Sequence, residues 1–167
     1  MSLNDRIAIV TGGAGYIGST TARRLASEGA TVVVSDVNRE LAAEVADAIV
    51  AEDGSATAIE TDVTSTRSIE TMVAQTIQQH GRIDVLVNVA GGSARKLASA
   101  VHGSNEKVIR QVIEVNLLGA IFCCRAVVDQ MIEQGGGKIV NVASIVALRG
   151  SAGHADYAAA KAGVIAF

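Results

Sequence analysis

Proline and tryptophan are absent from the 167 residues, and aromatic side chains make up only 2% of them. Cysteine occurs twice, as the neighbours Cys123 and Cys124. Adjacent cysteines on a predicted helix are unsuited to bonding each other, so a disulfide framework is excluded. Both are interpreted as small apolar core residues rather than as redox or metal-binding groups. The three histidines show no metal-site spacing, so no metal is expected.

Positive charge and long apolar runs are also sparse. The fourteen Lys and Arg residues are scattered among seventeen Asp and Glu residues, which gives a formal net charge of -3. No basic stripe results, so we expect neither nucleic acid nor an anionic membrane as a partner. No segment approaches the roughly 18 apolar residues of a membrane span, and the N-terminus has no basic region followed by a long apolar segment. A cytoplasmic location is the default expectation.

Short β-branched runs alternate with longer segments of helical periodicity. This pattern is typical of βαβ units and predicts one α/β domain over residues 1–167, with a parallel sheet buried on both faces. The predicted strands are 6–10, 31–36, 56–60, 83–88 and 138–143. The predicted helices are 17–28, 39–51, 66–80, 105–133 and one that begins near 155.

A glycine-rich turn joins the first predicted strand to the first helix. Its glycines are Gly12, Gly15 and Gly18, with Tyr16 and Ile17 in between. Such a turn lets the backbone approach a pyrophosphate at a helix N-terminus. Asp36 closes strand two, eighteen residues beyond Gly18. A carboxylate there would accept hydrogen bonds from a ribose and repel a 2'-phosphate, so NAD is favoured over NADP, although a surface aspartate is the alternative.

Two further segments follow predicted strands at the same edge of the sheet. Asp62 and Val63 follow strand three. Asn88, Ala90 and Gly91 end or follow strand four. Ligands of open α/β sheets bind beyond the carboxyl ends of the strands, so these residues are predicted to bind the cofactor. Asp62 could equally cap the next turn, and Gly91 could belong to a plain loop.

Tyr157 and Lys161 lie four residues apart, so the phenol and the ammonium project from one face of a helix. Ser144 lies thirteen positions before the tyrosine, at the end of an apolar run. A nearby cation favours the phenolate form of a tyrosine, which otherwise is a poor base at neutral pH. The pair predicts a proton-transfer device, and an ordinary alanine-rich helix is the alternative.

The motifs occur in a family-like order along the chain. They are the glycine turn, Asp36, Asp62-Val63, Asn88-Val89-Ala90-Gly91, Asn116, Ser144, Tyr157 and Lys161. In this order they resemble the short-chain dehydrogenase/reductase family, and the resemblance runs from Arg6 to the last residue. It implies a doubly wound, Rossmann-type parallel sheet with strand order 3-2-1-4-5. It also implies an oxidoreductase that moves a hydride between NAD(H) and a secondary alcohol or ketone.

The resemblance also implies a role for each catalytic candidate. Tyr157 would be the general acid/base, Lys161 would hold the nicotinamide ribose and assist the tyrosine, and Ser144 would hydrogen-bond the substrate oxygen. Asn116 would hold a water that links Lys161 to solvent, although from the residues alone it could equally face solvent or bond locally. Homodimers or tetramers built on helix 105–133 are implied too, although the helix's apolar residues could all be buried within one subunit.

Three departures from the family pattern keep alternatives open. Tyr16 occupies the middle glycine position of the classical branch, and the spacing resembles the extended branch of nucleotide-sugar epimerases and dehydratases. Val89 replaces the second asparagine of the usual motif. The sequence stops at Phe167, whereas the family continues with two further strands, so we expect a C-terminally incomplete domain with strand five as an uncovered edge. A catalytically silent nucleotide-binding module is the third functional possibility, besides the oxidoreductase and the nucleotide-sugar epimerase or dehydratase.

Several residues near these motifs are not assigned a function. His154 is interpreted as a surface loop histidine rather than a cleft residue. Arg82 and Asp84, before strand four, are interpreted as capping or surface charges. Arg95 and Lys96 are possible substrate contacts, which solvent exposure explains equally well.

Overall fold

Five parallel strands form one sheet in the computed structural model, which describes residues 3–93 and 100–167. The strands are β1 (Ile7–Thr11), β2 (Thr31–Asp36), β3 (Ser55–Glu60), β4 (Val85–Asn88) and β5 (Lys138–Asn141). Their order is β3-β2-β1-β4-β5, so the strand order reverses beside β1, which pairs with β2 on one side and β4 on the other. The predicted fold class and strand order are confirmed.

The strand bounds agree with the predictions to within a few residues. β4 begins at Val85 rather than at residue 83, although the Asp84 N–H still bonds the Ile7 carbonyl at 2.9 Å. β5 ends at Asn141 rather than at 143, although the Val142 N–H still bonds the Asn88 carbonyl at 3.0 Å. Backbone pairing therefore extends slightly beyond the assigned strands, as is common at strand ends.

Seven α-helices are present in the described residues. They are α1 (Tyr16–Ser27), α2 (Arg39–Ala51), α3 (Thr66–His80), α4 (Glu106–Ile113), α5 (Gly119–Glu133), α6 (Val146–Arg149) and α7 (Ala155–Ala166). A π-helical turn, Glu114–Leu118, joins α4 to α5, so the predicted helix 105–133 is continuous but locally widened. The short helix α6 and a 3-10 turn at Val101–Gly103 were not predicted, because three or four residues carry too little periodicity.

An apolar core lies on each face of the sheet, as strands rich in β-branched residues require. Successive strand residues point to opposite faces, so Ala8 and Val10 join one core and Ile9 joins the other. Helices α1 and α2 complete the first core with Ala22, Ala26, Ala42, Ala46 and Ile49. Helices α3 and α5 complete the second core with Ile69, Met72, Val73, Cys123, Cys124, Val127 and Met131.

The two cysteines are buried and unbonded to each other, which confirms their interpretation as core residues. Burial raises the pKa of Cys123 to about 12, and the neighbouring Cys124 adds to the shift. Burial also raises the pKa of Cys124. Both thiols therefore remain protonated and unreactive near neutral pH.

One helical stretch of the described residues, Glu106–Glu133, is long and apolar enough to cross a membrane by length and composition alone. This stretch resembles a membrane span more closely than the count of consecutive apolar residues in the sequence indicated. Core helices pass the same test, and this stretch contributes Cys123, Val127 and Met131 to the core. The finding is therefore weak evidence for a membrane span.

Asp84 is a buried ion-pair partner, so its interpretation as a surface charge is wrong, although it does bond a backbone N–H, and its partner Arg82 is a partly exposed charge. Asp84 is 5% exposed, and its Oδ1 accepts hydrogen bonds from Arg6 at 2.8 Å and Arg82 at 2.6 Å. Its Oδ2 accepts from the Arg82 Nε at 2.8 Å and the Ile7 N–H at 3.0 Å. Burial alone would raise the pKa of Asp84, but the hydrogen bonds from Arg82, Ile7 and Arg6 outweigh it and the pKa is lowered.

We expect Asp84→Asn to reduce the free energy of unfolding at pH 7 by about 1–3 kcal/mol, because charge-assisted hydrogen bonds are lost. Since the folded-state pKa is lowered, the stabilisation is fully present above the unfolded-state pKa of about 3.9 and disappears as the pH falls through the folded-state value. The difference between variant and wild type should therefore shrink in acid. Urea unfolding between pH 7 and pH 3 measures both effects.

The control is Glu106→Gln, which breaks an exposed ion pair with Arg110. Exposed pairs contribute little, so we expect a loss below about 1 kcal/mol. Equal losses in the two variants, or a pH-independent loss in Asp84→Asn, would contradict the assignment.

Candidate active site

The glycine turn brings β1, α1 and β4 into close contact. Gly12 has a φ of 65°, and a Cβ there would lie 2.7 Å from the Ala90 Cα. A Cβ on Gly18 would collide with the carbonyl of Gly12. Glycine is therefore required at both positions, because any side chain would separate the turn from the loop after β4 or from the first turn of α1.

The Asp36 carboxylate at the end of β2 is tied to the glycine turn. Its Oδ2 accepts a hydrogen bond from the Ala14 N–H at 3.0 Å, and its Oδ1 accepts one from the Asn38 N–H at 3.0 Å. The Gly13 N–H bonds the Ser35 carbonyl at 2.9 Å. These bonds orient the carboxylate beside the glycine turn, where ribose recognition was predicted.

A cleft of about 800 Å³ opens at the carboxyl ends of the strands. Ten predicted cofactor residues line it: Gly12, Gly15, Tyr16, Ile17, Gly18, Asp36, Asp62, Val63, Ala90 and Gly91. Seven lining residues were not predicted: Val37, Thr61, Thr64, Val89, Gln111, Glu114 and Val115. Val37, Thr61, Thr64 and Val89 adjoin predicted residues and could have been found by extending those segments. Gln111, Glu114 and Val115 lie on α4 and the π-helical turn that follows it, and they reach the cleft only through tertiary packing.

Asp62 has a local structural role as well as a place in the cleft. Its Oδ1 accepts hydrogen bonds from the Thr64 N–H at 2.9 Å and the Thr64 hydroxyl at 2.7 Å. This is the turn geometry that the alternative interpretation described. Val63 is buried, and a Cβ on Gly119 would lie 3.0 Å from its side chain, so Val63 fixes how closely the start of α5 approaches the loop after β3.

The side chain of Asn88 does not line the cleft. It is 5% exposed, and its Nδ2 donates to the Asn141 Oδ1 at 2.8 Å and contacts the Cys124 sulfur at 3.3 Å. The alternation of strand side chains directs it toward α5 instead. Its structural contribution is therefore to the pairing of β4 with β5.

The Tyr157 and Lys161 side chains lie on one face of α7, with the Lys161 Nζ 5.9 Å from the centre of the Tyr157 ring. Lys161 is only 4% exposed, and its Nζ donates a hydrogen bond to the Val142 carbonyl at 2.8 Å. A Cβ on Gly91 would lie 3.4 Å from the same nitrogen, so the ammonium stands beside the loop after β4. Burial lowers the pKa of Lys161.

Asn116 lies in the π-helical turn and is 1% exposed. Its Nδ2 donates to the carbonyls of Gly92 and Val112, each at 2.9 Å, and its Oδ1 accepts from the Gly92 N–H at 3.0 Å. The side chain thus acts as a two-way clamp on the backbone of Gly92. Both amide donors are occupied by protein carbonyls, which agrees with local bonding and leaves only acceptor capacity for a water.

Ser144 lies half-buried just after β5, at the start of the turn that leads into α6. Its Oγ is 3.4 Å from the Val146 N–H, and its carbonyl accepts from the Ala147 N–H at 3.0 Å. The hydroxyl keeps its proton available for another acceptor. Arg95 and Lys96, the possible substrate contacts, lie outside the described residues.

His154 lies immediately before α7 and is half-buried. Its Nδ1 is 3.1 Å from the Ala152 carbonyl and 3.4 Å from the Ser151 hydroxyl. Its ring therefore braces the loop that leads to Tyr157 and is more enclosed than a surface histidine.

The cleft has the features that a dinucleotide needs. α1 begins at Tyr16 with no side-chain cap in the described structure, whereas side chains cap α2, α3 and α4. No capping side chain in the described structure therefore occupies the first N–H groups of α1, and a helix N-terminus attracts an anion such as a pyrophosphate. The turn carries no side chain at Gly12 and Gly18, and the Asp36 carboxylate in the same cleft is an acceptor of the kind that a ribose hydroxyl needs. The residues present fit a nicotinamide dinucleotide.

The fold and this edge of the sheet define a Rossmann-type α/β protein. The chain belongs to the short chain dehydrogenase family, whose pattern it matches over residues 6–167. Family membership accounts for the order of the motifs along the chain.

Known relatives agree with this family. The chain is 38% identical over 169 residues to the (2S)-[(R)-hydroxy(phenyl)methyl]succinyl-CoA dehydrogenase subunit BbsD of Thauera aromatica. The aligned region covers 99% of this chain and 65% of that protein. It is 37% identical over 170 residues to a 3-oxoacyl-[acyl-carrier-protein] reductase of Synechocystis sp., with 99% and 66% covered. The structure of NAD+-bound xylitol dehydrogenase superposes with a TM-score of 0.95 at 32% identity, over 99% of this chain and 63% of that one. The chain spans just under two thirds of the length of these proteins.

We expect Gly18→Ala to weaken both folding and dinucleotide binding, because the added methyl group forces the turn away from α1. Overpacking of this kind typically costs about 1–3 kcal/mol. Urea unfolding and titration with NADH measure the two losses. Gly103→Ala is the matched control, since a Cβ there meets nothing within 4 Å and its expected effect is within about 1 kcal/mol. Equal behaviour of the two variants would refute the close packing.

Proposed function

We propose that the protein is an NAD(H)-dependent oxidoreductase that interconverts a secondary alcohol and a ketone. The observation that carries this proposal is the buried ammonium of Lys161, held on the Val142 carbonyl beside Gly91 and 5.9 Å from the centre of the Tyr157 ring. A buried cation at the carboxyl edge of a Rossmann-type sheet, next to a phenol, is an arrangement suited to proton transfer.

A nicotinamide, when bound in the cleft, would supply the hydride acceptor or donor of the proposed reaction. Tyr157 takes the hydroxyl proton as the alcohol is oxidised and returns it to the carbonyl oxygen in the reverse direction. The positive charge of Lys161 favours the phenolate that this exchange needs, and its burial increases the strength of that electrostatic effect.

Two further residues support this chemistry in the proposal. Ser144 donates its hydroxyl proton to the substrate oxygen, a direction that its contact with the Val146 N–H leaves free. Asn116 holds the backbone of Gly92 beside Lys161, and its Oδ1 can accept from a water in the proposed relay to solvent. Its clamp is the better supported of the two roles.

Preference for NAD over NADP is proposed from the charge of the cleft. Asp36, Asp62 and Glu114 line it, and no Lys or Arg does so among the described residues. A 2'-phosphate beside Asp36 would meet a like charge in an acidic cleft without a compensating lining cation. The ribose hydroxyl of NAD would instead donate to Asp36.

The relatives bear on the class of reaction more than on the substrate. Their names describe a succinyl-CoA derivative, an acyl carrier protein substrate and xylitol. All three are dehydrogenases or reductases, which supports an oxidoreductase over a nucleotide-sugar epimerase. Net conversion of NAD to NADH with a test alcohol would distinguish the two, because an epimerase returns the hydride to its substrate.

We further propose a homodimer or tetramer in the cytoplasm. Val128 and Ile132 on α5 are 39% and 69% exposed, which provides apolar surface for a second copy. Two buried free thiols suit a reducing compartment. Sedimentation of the purified protein would measure the oligomeric state.

We expect Tyr157→Phe to reduce kcat by roughly 10²–10⁴-fold, the usual contribution of general acid/base catalysis. NADH affinity and the urea midpoint should change little, because only the hydroxyl is removed. Steady-state kinetics and NADH titration on the same sample separate these effects. Unchanged turnover would exclude Tyr157 as the acid/base, and absence of turnover in the wild type with intact NADH binding would favour the silent binding module.

We expect Asp36→Asn to shift the ratio of NADP to NAD affinity upward by about tenfold, or 1.4 kcal/mol, because a like charge next to the 2'-phosphate is removed. Dissociation constants for the two cofactors measure the ratio. Glu114→Gln is the matched control, since it removes one charge from the same cleft. An equal shift in both variants would mean that the general field of the cleft, rather than Asp36, sets the preference.

A further inference from the structure

Among the residues that the structure describes, the hydrogen-bond acceptor of the Lys161 ammonium is the carbonyl group of Val142. The Nζ donates to this oxygen at 2.8 Å. The N–H of the same residue donates to the Asn88 carbonyl at 3.0 Å. Val142 therefore links the end of β4 to the lysine, and any shift of the chain after β5 would move the lysine's acceptor.

β5 is the outermost strand of the described sheet, and burial contributes little to its placement. It pairs with β4 over only four residues. Its apolar residues Ile139 and Val140 are 38% and 51% exposed. The end of β5 is therefore held by hydrogen bonds to β4 and by one partly buried side chain, that of Val142, which packs against the first core.

A side-chain bond joins the same two strands directly before Val142. Asn88 and Asn141 lie opposite each other in the register, and the Asn88 Nδ2 donates to the Asn141 Oδ1 at 2.8 Å. Asn88 is 5% exposed, so loss of this acceptor would leave a buried donor without its best partner. The Cys124 sulfur contacts both groups only at 3.3 and 3.7 Å.

We propose that Asn141 is a positioning residue for Lys161. Its bond to Asn88 fixes the end of β5, and thereby places the Val142 carbonyl where the ammonium can bond it. Asn141 itself touches neither the lysine nor the cleft. The placement of Lys161 follows from the contacts alone, whereas any effect on turnover rests on the proposed function.

The test compares how fast an acylating reagent modifies Lys161 in wild type and in Asn141→Leu. The chain has four lysines, and peptide mass spectrometry follows each one. Exposed Lys107 is the internal reference. We expect the variant to raise the Lys161 rate several-fold relative to Lys107, because the ammonium loses its fixed acceptor and becomes accessible. A folded variant in which the relative rate matches wild type would overturn the proposal.

Two further variants separate positioning from general destabilisation. Cys124→Ala removes the sulfur contacts at 3.3 and 3.7 Å and some core packing but keeps the bond between the two asparagines, so it is expected to lower the urea midpoint and leave the relative rate unchanged. The double variant Asn88→Leu/Asn141→Leu removes the buried donor together with its acceptor, so its urea midpoint should recover relative to Asn141→Leu while Lys161 stays reactive. Recovery of both properties would show that Lys161 responds to stability rather than to the asparagine bond, and would overturn the proposal.

The outcome for Lys161 does not depend on whether the protein is an active oxidoreductase. Where the wild type turns over, Asn141→Leu should also lower kcat and shift its pH profile, with a smaller change in KM. A wild type without turnover would contradict the proposed function and leave the labelling result to decide on Asn141.

Discussion

A cation buried at the edge of a sheet is the constraint on which the candidate site depends. Lys161 is 4% exposed, and removal of an ammonium from water is costly unless an acceptor replaces the lost solvent. The Val142 carbonyl supplies one acceptor, and the loop at Gly91 approaches closely because it carries no side chain. Burial lowers the pKa of Lys161, so the structure must hold the carbonyl in place for the charge to persist.

The rest of this edge is likewise built from backbone groups. The Ala14 N–H orients Asp36, the Gly92 backbone engages Asn116 in both directions, and Val142 bonds both Asn88 and Lys161. Ala14, Gly92 and Val142 lie beyond the ends of β1, β4 and β5, where the parallel strands end at one edge and the chain leaves the regular pairing of the sheet. The site is therefore only as well ordered as the strand ends, and β5 is the one with the least burial.

Local patterns in the sequence were enough to predict the elements and the α/β class, because each β-branched run and each helical period marks one element, whereas the strand order came from the resemblance to the family. The glycine turn, Asp36 and the Tyr157–Lys161 pair were also predictable, since their spacing is set within one or two elements. Pairings across distant segments were not. The contact of Asn88 with Asn141, and the burial of Asp84 between Arg6 and Arg82, depend on strands that lie far apart in the chain. The position of Glu114 in the cleft depends on how the helical stretch that carries this residue packs in the fold.

The unusual glycine spacing is explained by the same steric reasoning. A Cβ would collide with Ala90 at Gly12, with Val34 and the Val10 carbonyl at Gly13, and with the turn itself at Gly18, and the chain keeps glycine at all three positions. Tyr16 begins α1 with its side chain 90% exposed, so a large residue is accommodated there without a clash. A Cβ on Gly15 would lie 3.3 Å from the nearest atom, a much milder contact. The chain has its middle glycine at position 15, whereas the classical pattern has it at position 16. This difference leaves the close contacts of the glycine turn intact, so it carries little weight in a choice between a dehydrogenase and an epimerase.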